Sequence, residues 1–389
     1  MSHPTGGYVA APRISADEYK SRIPKVRAAL EGAGLAGLIA FGDCWRSANV
    51  SYFTEFRPLD GVSDIANAVI WLSPTEDPVL FVSDQCVDYA RSATLFEVAS
   101  LRDLNARLSG TSVARRGGRV GLAGAAYIPA GLLDRVRAAM GSATLEPTMA
   151  LAEVKAVKSD AEVALMRKAA ELSDVAMEAI RLTLADGKPH TECELAHVAD
   201  SAMLAGGAER TGYDSMVQAG PRSAFNLARP TDRIVAPGDL VMTDIGARFG
   251  GYVADGGRGF TYGPASPEKK AIVAAAARAV EAGLEAAKPG IRAMDLNAAI
   301  QRALVESGFE RFSSEARGHG TGHGTGMDPE EEAPWIGPTN TTVLVPNMVF
   351  TLKATITVPG VGGLRTERIV RLSPGGVEPL DKYPMELYW

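Results

Sequence analysis

The spacing of apolar positions predicts that the first half of the chain alternates short helices with short strands. An amphipathic run over residues 16–34 predicts a helix, and LAGLIAF over residues 35–41 predicts a buried strand. Further elements are predicted, in chain order, as strands over residues 68–72, 79–82 and 119–123 and a helix over residues 129–140. We therefore expect an α/β domain over residues 1–148.

The second half has longer helices and longer strands. Ser159, with Glu162 three residues later, forms a capping box that predicts the start of a long helix. Two more helices are predicted over residues 266–290 and 295–307, and strands over residues 239–245, 252–260, 349–357 and 367–372. We expect residues 149–389 to form an α+β domain with helices laid over a curved antiparallel sheet.

Composition narrows the classes of partner. The 389 residues are 46% hydrophobic and 22% charged, with a formal net charge of -6 and an isoelectric point near 5.6, which argues against binding of nucleic acid or of acidic membranes. A small-molecule substrate fits better. No leader or membrane-spanning segment is evident and Cys44, Cys86 and Cys193 are widely spaced, so we predict a cytoplasmic protein with buried, unpaired cysteines.

Two of the five histidines lie in GHGTGHGTG, residues 318–326. The glycines allow tight turns that bring His319 and His323 near one another or near a ligand. The alternative is a glycine-rich loop without chemistry.

Two further segments carry charged residues in strand-like surroundings. Asp244 and Asp255 lie eleven positions apart around a glycine turn, so hairpin pairing would bring their carboxylates together. Unpartnered carboxylates in an apolar sheet are costly, which predicts a bound cation or substrate, although each aspartate would also suit a turn cap. Arg365 and Glu367 share one face of a strand, which alone is also typical of a surface ion pair.

Together these motifs carry a family resemblance. The order D-x-G…G-Y-x-x-D, then H-G-x-G-H-G-x-G, then G-G-x-R-x-E resembles the pita-bread family of prolidase, aminopeptidase P and creatinase. KSDAEVALMRKAA at residues 158–170 and NVSYF at residues 49–53 extend the resemblance over nearly the whole chain. It implies an α/β N-terminal domain, a pita-bread C-terminal domain with a curved antiparallel sheet, and a homodimer.

The resemblance also implies five metal ligands around two divalent ions. Four of the positions match here, at Asp244, Asp255, His323 and Glu367. The fifth, a glutamate in the family, is Lys353. An ammonium offers donors and no acceptor, and at about 4 Å it would repel a divalent ion by several kcal/mol. We therefore expect no dinuclear centre, and either no ion or a single Mn, Zn, Fe or Co ion, with the metal-free site preferred.

Two more positions depart from the family pattern. Leu227 replaces a histidine of the peptidases that creatinase, which needs no metal, also uses. Glu330 stands where peptidases carry a second histidine, within one residue of alignment. We expect catalysis by His319, His323, Lys353 and Glu330, and substrate contacts from Arg365, Leu227 and Tyr252.

The resulting prediction is a hydrolase that cleaves a carbon–nitrogen bond in a small polar metabolite without the usual metal pair. A lyase or cyclase on the same scaffold would use the same groups. A metal-dependent Xaa-Pro peptidase would need a replacement ligand, for which Glu330, Glu331 and Glu332 are candidates. The fourth hypothesis is a pseudoenzyme that binds a ligand without catalysis.

The stretch GDCWRSANV, residues 42–50, also stands out. Asp43, Trp45 and Arg46 are candidates for a contact with the active site of a partner subunit, or simply for packing beside a strand.

Overall fold

A six-stranded mixed sheet organises the N-terminal part of the chain in the computed structural model, which describes residues 13–61, 63–314 and 319–389. Its strands are β1 (Leu38–Asp43), β2 (Asn67–Leu72), β3 (Val79–Val82), β4 (Glu97–Ser100), β5 (Gly118–Ala123) and β6 (Ala143–Pro147), in the order β4-β3-β2-β1-β5-β6. The helices are α1 (Ala16–Gly32), α2 (Ala48–Ser51), α3 (Val87–Ser92), α4 (Leu104–Ser109), α5 (Ser112–Arg116) and α6 (Ala130–Met140). Apolar residues on both faces of the sheet are buried.

The C-terminal part sets helices against antiparallel sheets. The helices are α7 (Ala150–Ala156), α8 (Asp160–Leu184), α9 (Glu192–Ala205), α10 (Pro267–Ala286) and α11 (Ala293–Glu306). The strands are β7 (Arg210–Thr211), β8 (Met216–Ala219), β9 (Leu240–Ile245), β10 (Ala247–Phe249), β11 (Tyr252–Val253), β12 (Gly256–Thr261), β13 (Gly322–Gly324), β14 (Glu331–Ile336), β15 (Val349–Val358), β16 (Gly362–Ser373), β17 (Gly376–Pro379) and β18 (Leu387–Tyr388). They form sheets ordered β18-β12-β9-β8, β14-β13-β15-β16-β17 and β11-β10-β7.

Local signals in the sequence account for the helix starts. The Ser159 hydroxyl accepts from the Glu162 backbone N–H, and the Glu162 carboxylate accepts from the Ser159 N–H, so the predicted capping box begins α8. The Ser266 hydroxyl accepts from the Lys269 backbone N–H and so caps α10, with Pro267 as the first residue of the helix. Among the described residues, no helix is long and apolar enough to cross a membrane.

One predicted strand is broken in the structure. The stretch 252–260 forms two strands in different sheets, β11 and β12, and Asp255 lies in the gap between them. The break frees this aspartate from the regular ladder. Its carboxylate therefore does not lie directly opposite Asp244, whose ladder partner is Gly257.

A buried polar network joins the two parts of the chain. Arg22 of α1 is 1% exposed and contacts the Glu18 carboxylate at 2.7 Å and the Glu162 carboxylate at 3.4 Å. The Tyr252 hydroxyl donates to Glu162 (2.8 Å) and accepts from Arg22 (3.1 Å), while the Ser159 hydroxyl donates to Glu18 (2.7 Å). These five residues are called the junction network below. The proposed boundary at residue 148 falls between β6 and α7.

Candidate functional site

The adjoining sheets bring three carboxylates together. Asp244 lies on β9, Asp255 just before β12 and Glu367 on β16, and one oxygen of each lies within 4.8 Å of the others. Gly257 makes room for this approach, because a Cβ there would lie 3.3 Å from the Glu367 Cγ. We call these three residues the carboxylate trio.

Two cations lie beside the carboxylate trio. Lys353 on β15 is the ladder partner of Glu367, and Arg365 lies two residues before Glu367 on the same face of β16. The Arg365 guanidinium donates to the Asp244 carboxylate, and its Nε lies 3.7 Å from the Glu367 carboxylate. Arg365 is therefore part of the site and not a surface ion pair.

Two neutral groups complete the support of Asp244. The Tyr213 hydroxyl donates to Asp244 at 2.7 Å. Asn226 accepts from Arg365 through its side-chain oxygen (3.0 Å) and its backbone carbonyl (3.2 Å), which fixes the guanidinium. The two terminal nitrogens of Arg365 are thus hydrogen-bonded within the protein, which disfavours the predicted substrate contact from this residue.

His323 lies on the short strand β13, between β14 and β15. A Cβ on Gly322 would collide with the Thr351 carbonyl oxygen, and one on Gly324 with the Ala333 carbonyl oxygen. The glycines of the motif therefore allow β13 to fit between its neighbours. This geometry buries the imidazole and directs it to the carboxylates.

The protonation of His323 follows from its contacts. The Nδ1 atom is 3.1 Å from the Gly324 carbonyl oxygen, an acceptor, which favours the tautomer with its proton on Nδ1. Nε2 then offers a lone pair, 3.5 Å from the Asp255 carboxylate and 3.6 Å from the Glu330 carboxylate. Burial and the Lys353 ammonium lower the pKa of His323 to about 4, so the ring is neutral near pH 7.

Crowding changes the acidity of the carboxylates. Burial, with Glu367 and Asp244 nearby, raises the pKa of Asp255 well above its usual range. Burial and the Asp244 charge raise the pKa of Glu367 to about 7, against the opposing effect of Arg365 and Lys353. Burial alone would lower the pKa of Arg365, but the carboxylates of Asp244 and Glu367 raise it. Additional positive charge would relieve this repulsion.

Glu330 connects the histidine and the lysine. Its carboxylate lies 3.6 Å from His323 Nε2 and 3.9 Å from Lys353 Nζ. Lys353 is buried among these groups and does not point into solvent. The next residue, Glu331, is buried in an ion pair with Lys158 (2.7 Å). Glu331 is therefore not free to replace a lost metal ligand.

The site opens into a cavity of about 950 Å³. Its wall includes the carboxylate trio, His323, Glu330, Arg365, Tyr213 and the predicted Leu227, together with Trp45 and Arg46 from the N-terminal domain. Trp45 and Arg46 thus lie on the cavity of their own chain. Their predicted contact with a partner subunit stays a prediction.

Three predicted residues do not line this cavity, and one of them, Lys353, lies 3.9 Å from Glu330 in its wall. Tyr252 is fully buried in the junction network, where its hydroxyl is held by Glu162 and Arg22, so it is not positioned to contact a substrate. His319 is exposed and does not line the cavity; its backbone N–H donates to the Ser314 carbonyl. Of the cysteines, Cys86 is buried, whereas Cys44 and Cys193 are only partly so, which corrects the prediction for these two.

Sequence reasoning missed Tyr213, Asn226 and the position of Trp45. Asn226 immediately precedes Leu227, whose position is matched to a histidine of the family. Its place in the sequence could therefore have indicated that it lies near the site. Tyr213 carries no such signal, because it lies on a connection between strands with no recognisable pattern.

Two family models match the chain. Residues 164–374 match the metallopeptidase family M24, and residues 22–155 match the creatinase/prolidase N-terminal domain. An Xaa-Pro dipeptidase from Pyrococcus horikoshii is 31% identical over 235 residues, which are 60% of this chain and 65% of that protein. The sequence match therefore spans slightly less than two thirds of this relative.

Solved structures match over almost the full length. A prolidase from Thermococcus sibiricus has a TM-score of 0.83 at 25% identity and covers 96% of this chain and 100% of its own. The dipeptidase PepE from Mycobacterium ulcerans has a TM-score of 0.82 at 26% identity and covers 97% of this chain and 99% of its own.

Proposed function

We propose a function from one established premise: the chain belongs to metallopeptidase family M24 and has its two-domain pita-bread fold. It hydrolyses the amide bond of a dipeptide-sized substrate, Xaa-Pro dipeptides being the first candidates, and holds one divalent metal ion in the carboxylate trio. The description of the family as metallopeptidases and the dipeptidase names of the relatives support this metal-dependent peptidase over the metal-free metabolite hydrolase preferred from the sequence. A cavity of about 950 Å³ has room for such a substrate.

One observation carries the proposal. The Glu367 Oε2 atom is buried with no hydrogen-bond donor among the described residues, beside two other carboxylates. A buried acceptor of this kind is costly unless a cation meets it. Three carboxylates are also a ligand set suited to a hard divalent cation. The residues present therefore fit one ion.

The charges favour one ion over two. When fully ionised, the carboxylate trio and Glu330 carry four negative charges, and Lys353 and Arg365 carry two positive ones. The remaining two negative charges match a single divalent ion. A second ion near His323 would meet the Lys353 ammonium, which opposes it.

The chain's own residues have separate tasks around the scissile bond. When bound, a divalent ion supplies Lewis acidity that polarises a substrate carbonyl. Glu330, whose side chain is exposed to the cavity, accepts a proton from the water that attacks the carbonyl carbon and gives it to the leaving amine nitrogen as the C–N bond breaks. His323, neutral and with its Nε2 lone pair next to Glu330, receives and returns protons over a short path. Arg365, Asn226 and Tyr213 hold Asp244 in place.

Metal counting tests the proposal most directly. We expect about one transition-metal ion per chain in natively purified protein and about two in Lys353→Glu, measured by elemental analysis. Lys353→Met, which removes the charge without adding a ligand, serves as the matched control. Lys168→Glu makes the same charge change at a partly exposed position on α8.

Activity completes the test. Hydrolysis of Xaa-Pro dipeptides should be lost on chelation and restored by adding back a divalent ion. Two ions in the wild-type protein would overturn the role given to Lys353, and turnover that resists complete removal of metal would overturn the metal-dependent mechanism.

A further inference from the structure

A rigid turn presents Trp45 to the cavity. The Asp43 carboxylate accepts from the backbone N–H groups of Trp45 (2.8 Å) and Arg46 (2.6 Å), and it pairs with the Arg46 guanidinium at 2.7 Å. The Arg46 guanidinium also stacks over the Tyr127 ring at 4.0 Å. The turn is thereby fixed, while the indole itself stays 48% exposed on the cavity wall.

A residue of the C-terminal domain contacts the same indole. The Arg210 guanidinium lies over the Trp45 ring, 4.2 Å from its centroid, in a cation–π contact. Trp45 is therefore held by both domains. Because one cation already lies over the ring, a second cationic group brought to this wall would be repelled by it.

Apolar side chains lie beside Trp45 on this wall, and the carboxylates of Asp328 and Glu330 also line the cavity. Leu227, 66% exposed, and the partly buried Met216 line the cavity with Trp45. The arginines in the lining have carboxylate partners, Arg46 with Asp43 and Arg229 with Asp214 at 2.6 Å. Exposed apolar side chains grouped in a cavity are typical of a surface that receives an apolar ligand group.

We infer that Trp45 is a specificity-determining residue, which receives a neutral, apolar side chain of the substrate and disfavours a basic one. The inference deepens the proposed function and, for its kinetic test, rests on it. Burying one apolar side chain against the indole corresponds to a preference of about tenfold or more.

A matched grid of dipeptides tests this preference. kcat/KM is measured for Leu-Pro and Lys-Pro, and for Leu-Leu, Leu-Lys, Lys-Leu and Lys-Lys, with wild type, Trp45→Ala and Trp45→Phe. We expect wild type to prefer leucine at one of the two positions by about tenfold or more. Trp45→Ala should lose that preference mainly through KM, and Trp45→Phe should retain most of it. An unchanged preference at both positions in Trp45→Ala overturns the inference.

Binding separates this inference from the proposed function. Calorimetry with N-acetyl-leucinamide and N-acetyl-lysinamide needs no turnover. If no dipeptide is cleaved but the leucine probe binds wild type about tenfold more tightly than Trp45→Ala, the proposed function fails and the role of Trp45 stands. If binding of neither probe depends on Trp45, the inference is overturned.

Two further variants sharpen the result. Arg210→Gln removes the cation over the ring and should raise the affinity of the lysine probe relative to the leucine probe. Leu182→Ala truncates an exposed apolar side chain on α8, outside the cavity lining, and should leave both affinities unchanged. An Arg210→Gln protein that discriminates as wild type does would overturn the repulsion part of the inference.

Discussion

The junction network and the carboxylate trio are both buried groups of charged residues, but they differ in how their acceptors are satisfied. At the junction, the two oxygens of Glu162 accept from the Tyr252 hydroxyl and the Ser159 N–H, and Glu18 accepts from Arg22. In the carboxylate trio, Glu367 Oε2 has no donor in the described structure. The fold supplies donors to the carboxylates of the first group and leaves an acceptor of the second to be met by a ligand.

The largest effect should follow from breaking the junction network. Arg22→Met leaves the buried Glu162 and the partly buried Glu18 without their cation, so we expect a loss of about 3–5 kcal/mol in the free energy of unfolding, measured with urea. Arg91→Met, which breaks an exposed pair with Asp88, should change stability little. A loss for Arg22→Met no larger than for Arg91→Met would contradict the structural role of the junction.

In the carboxylate trio, we expect removal of a charge to increase the free energy of unfolding. With metal removed by a chelator, Glu367→Gln should stabilise the protein by about 2 kcal/mol at pH 8, because ionising this crowded carboxyl group is unfavourable. Its folded-state pKa, raised from 4.5 to about 7, means that the native state binds the proton more tightly than the unfolded state. Wild-type stability therefore falls as pH rises from about 4.5 to about 7, a slope that Glu367→Gln lacks.

The measurement is urea unfolding of both proteins across this pH range. Below about pH 4.5 the stabilisation by Glu367→Gln should vanish. Glu162→Gln, the same substitution in the junction network, should destabilise instead. If Glu367→Gln and Glu162→Gln changed the free energy of unfolding in the same direction, the distinction between the carboxylate trio and the junction network would be wrong.

The smallest effect concerns the support of Asp244. Tyr213→Phe removes the hydroxyl that donates to Asp244, so we expect metal affinity to fall about tenfold while stability falls by about 1 kcal/mol. Competition with a chelating dye gives the affinity. Tyr262→Phe, which removes a hydroxyl bonded to the Leu184 carbonyl, should leave metal affinity unchanged.

The fold was predictable from the sequence because its signals are local. The Ser159 capping box, the Ser266–Pro267 start of α10 and the alternating strand faces each depend on neighbouring residues. The recognised motifs then led to the pita-bread family, and this prediction is confirmed.

The candidate site was only partly predictable, because long-range packing decides which side chains meet. Tyr252 carries a family motif, yet its hydroxyl is used by the junction network. Trp45 reaches the cavity only because β1 of the N-terminal domain ends beside the C-terminal strands. Tyr213 contacts Asp244 directly, and Asn226 contacts it through Arg365. Neither contact follows from the spacing of residues in the sequence. Lys353 could be identified from the sequence because it stands within a predicted strand at a position where the family has glutamate.

The fit of β13 between β14 and β15 has a consequence for surveys of related genomes. Gly322 and Gly324 admit no side chain for steric reasons that are independent of any reaction. Selection for folding alone would therefore preserve them in lineages whose chemistry has been lost. A search profile weighted on these glycines will group active and inactive members together, whereas one weighted on positions 330 and 353 would sort them.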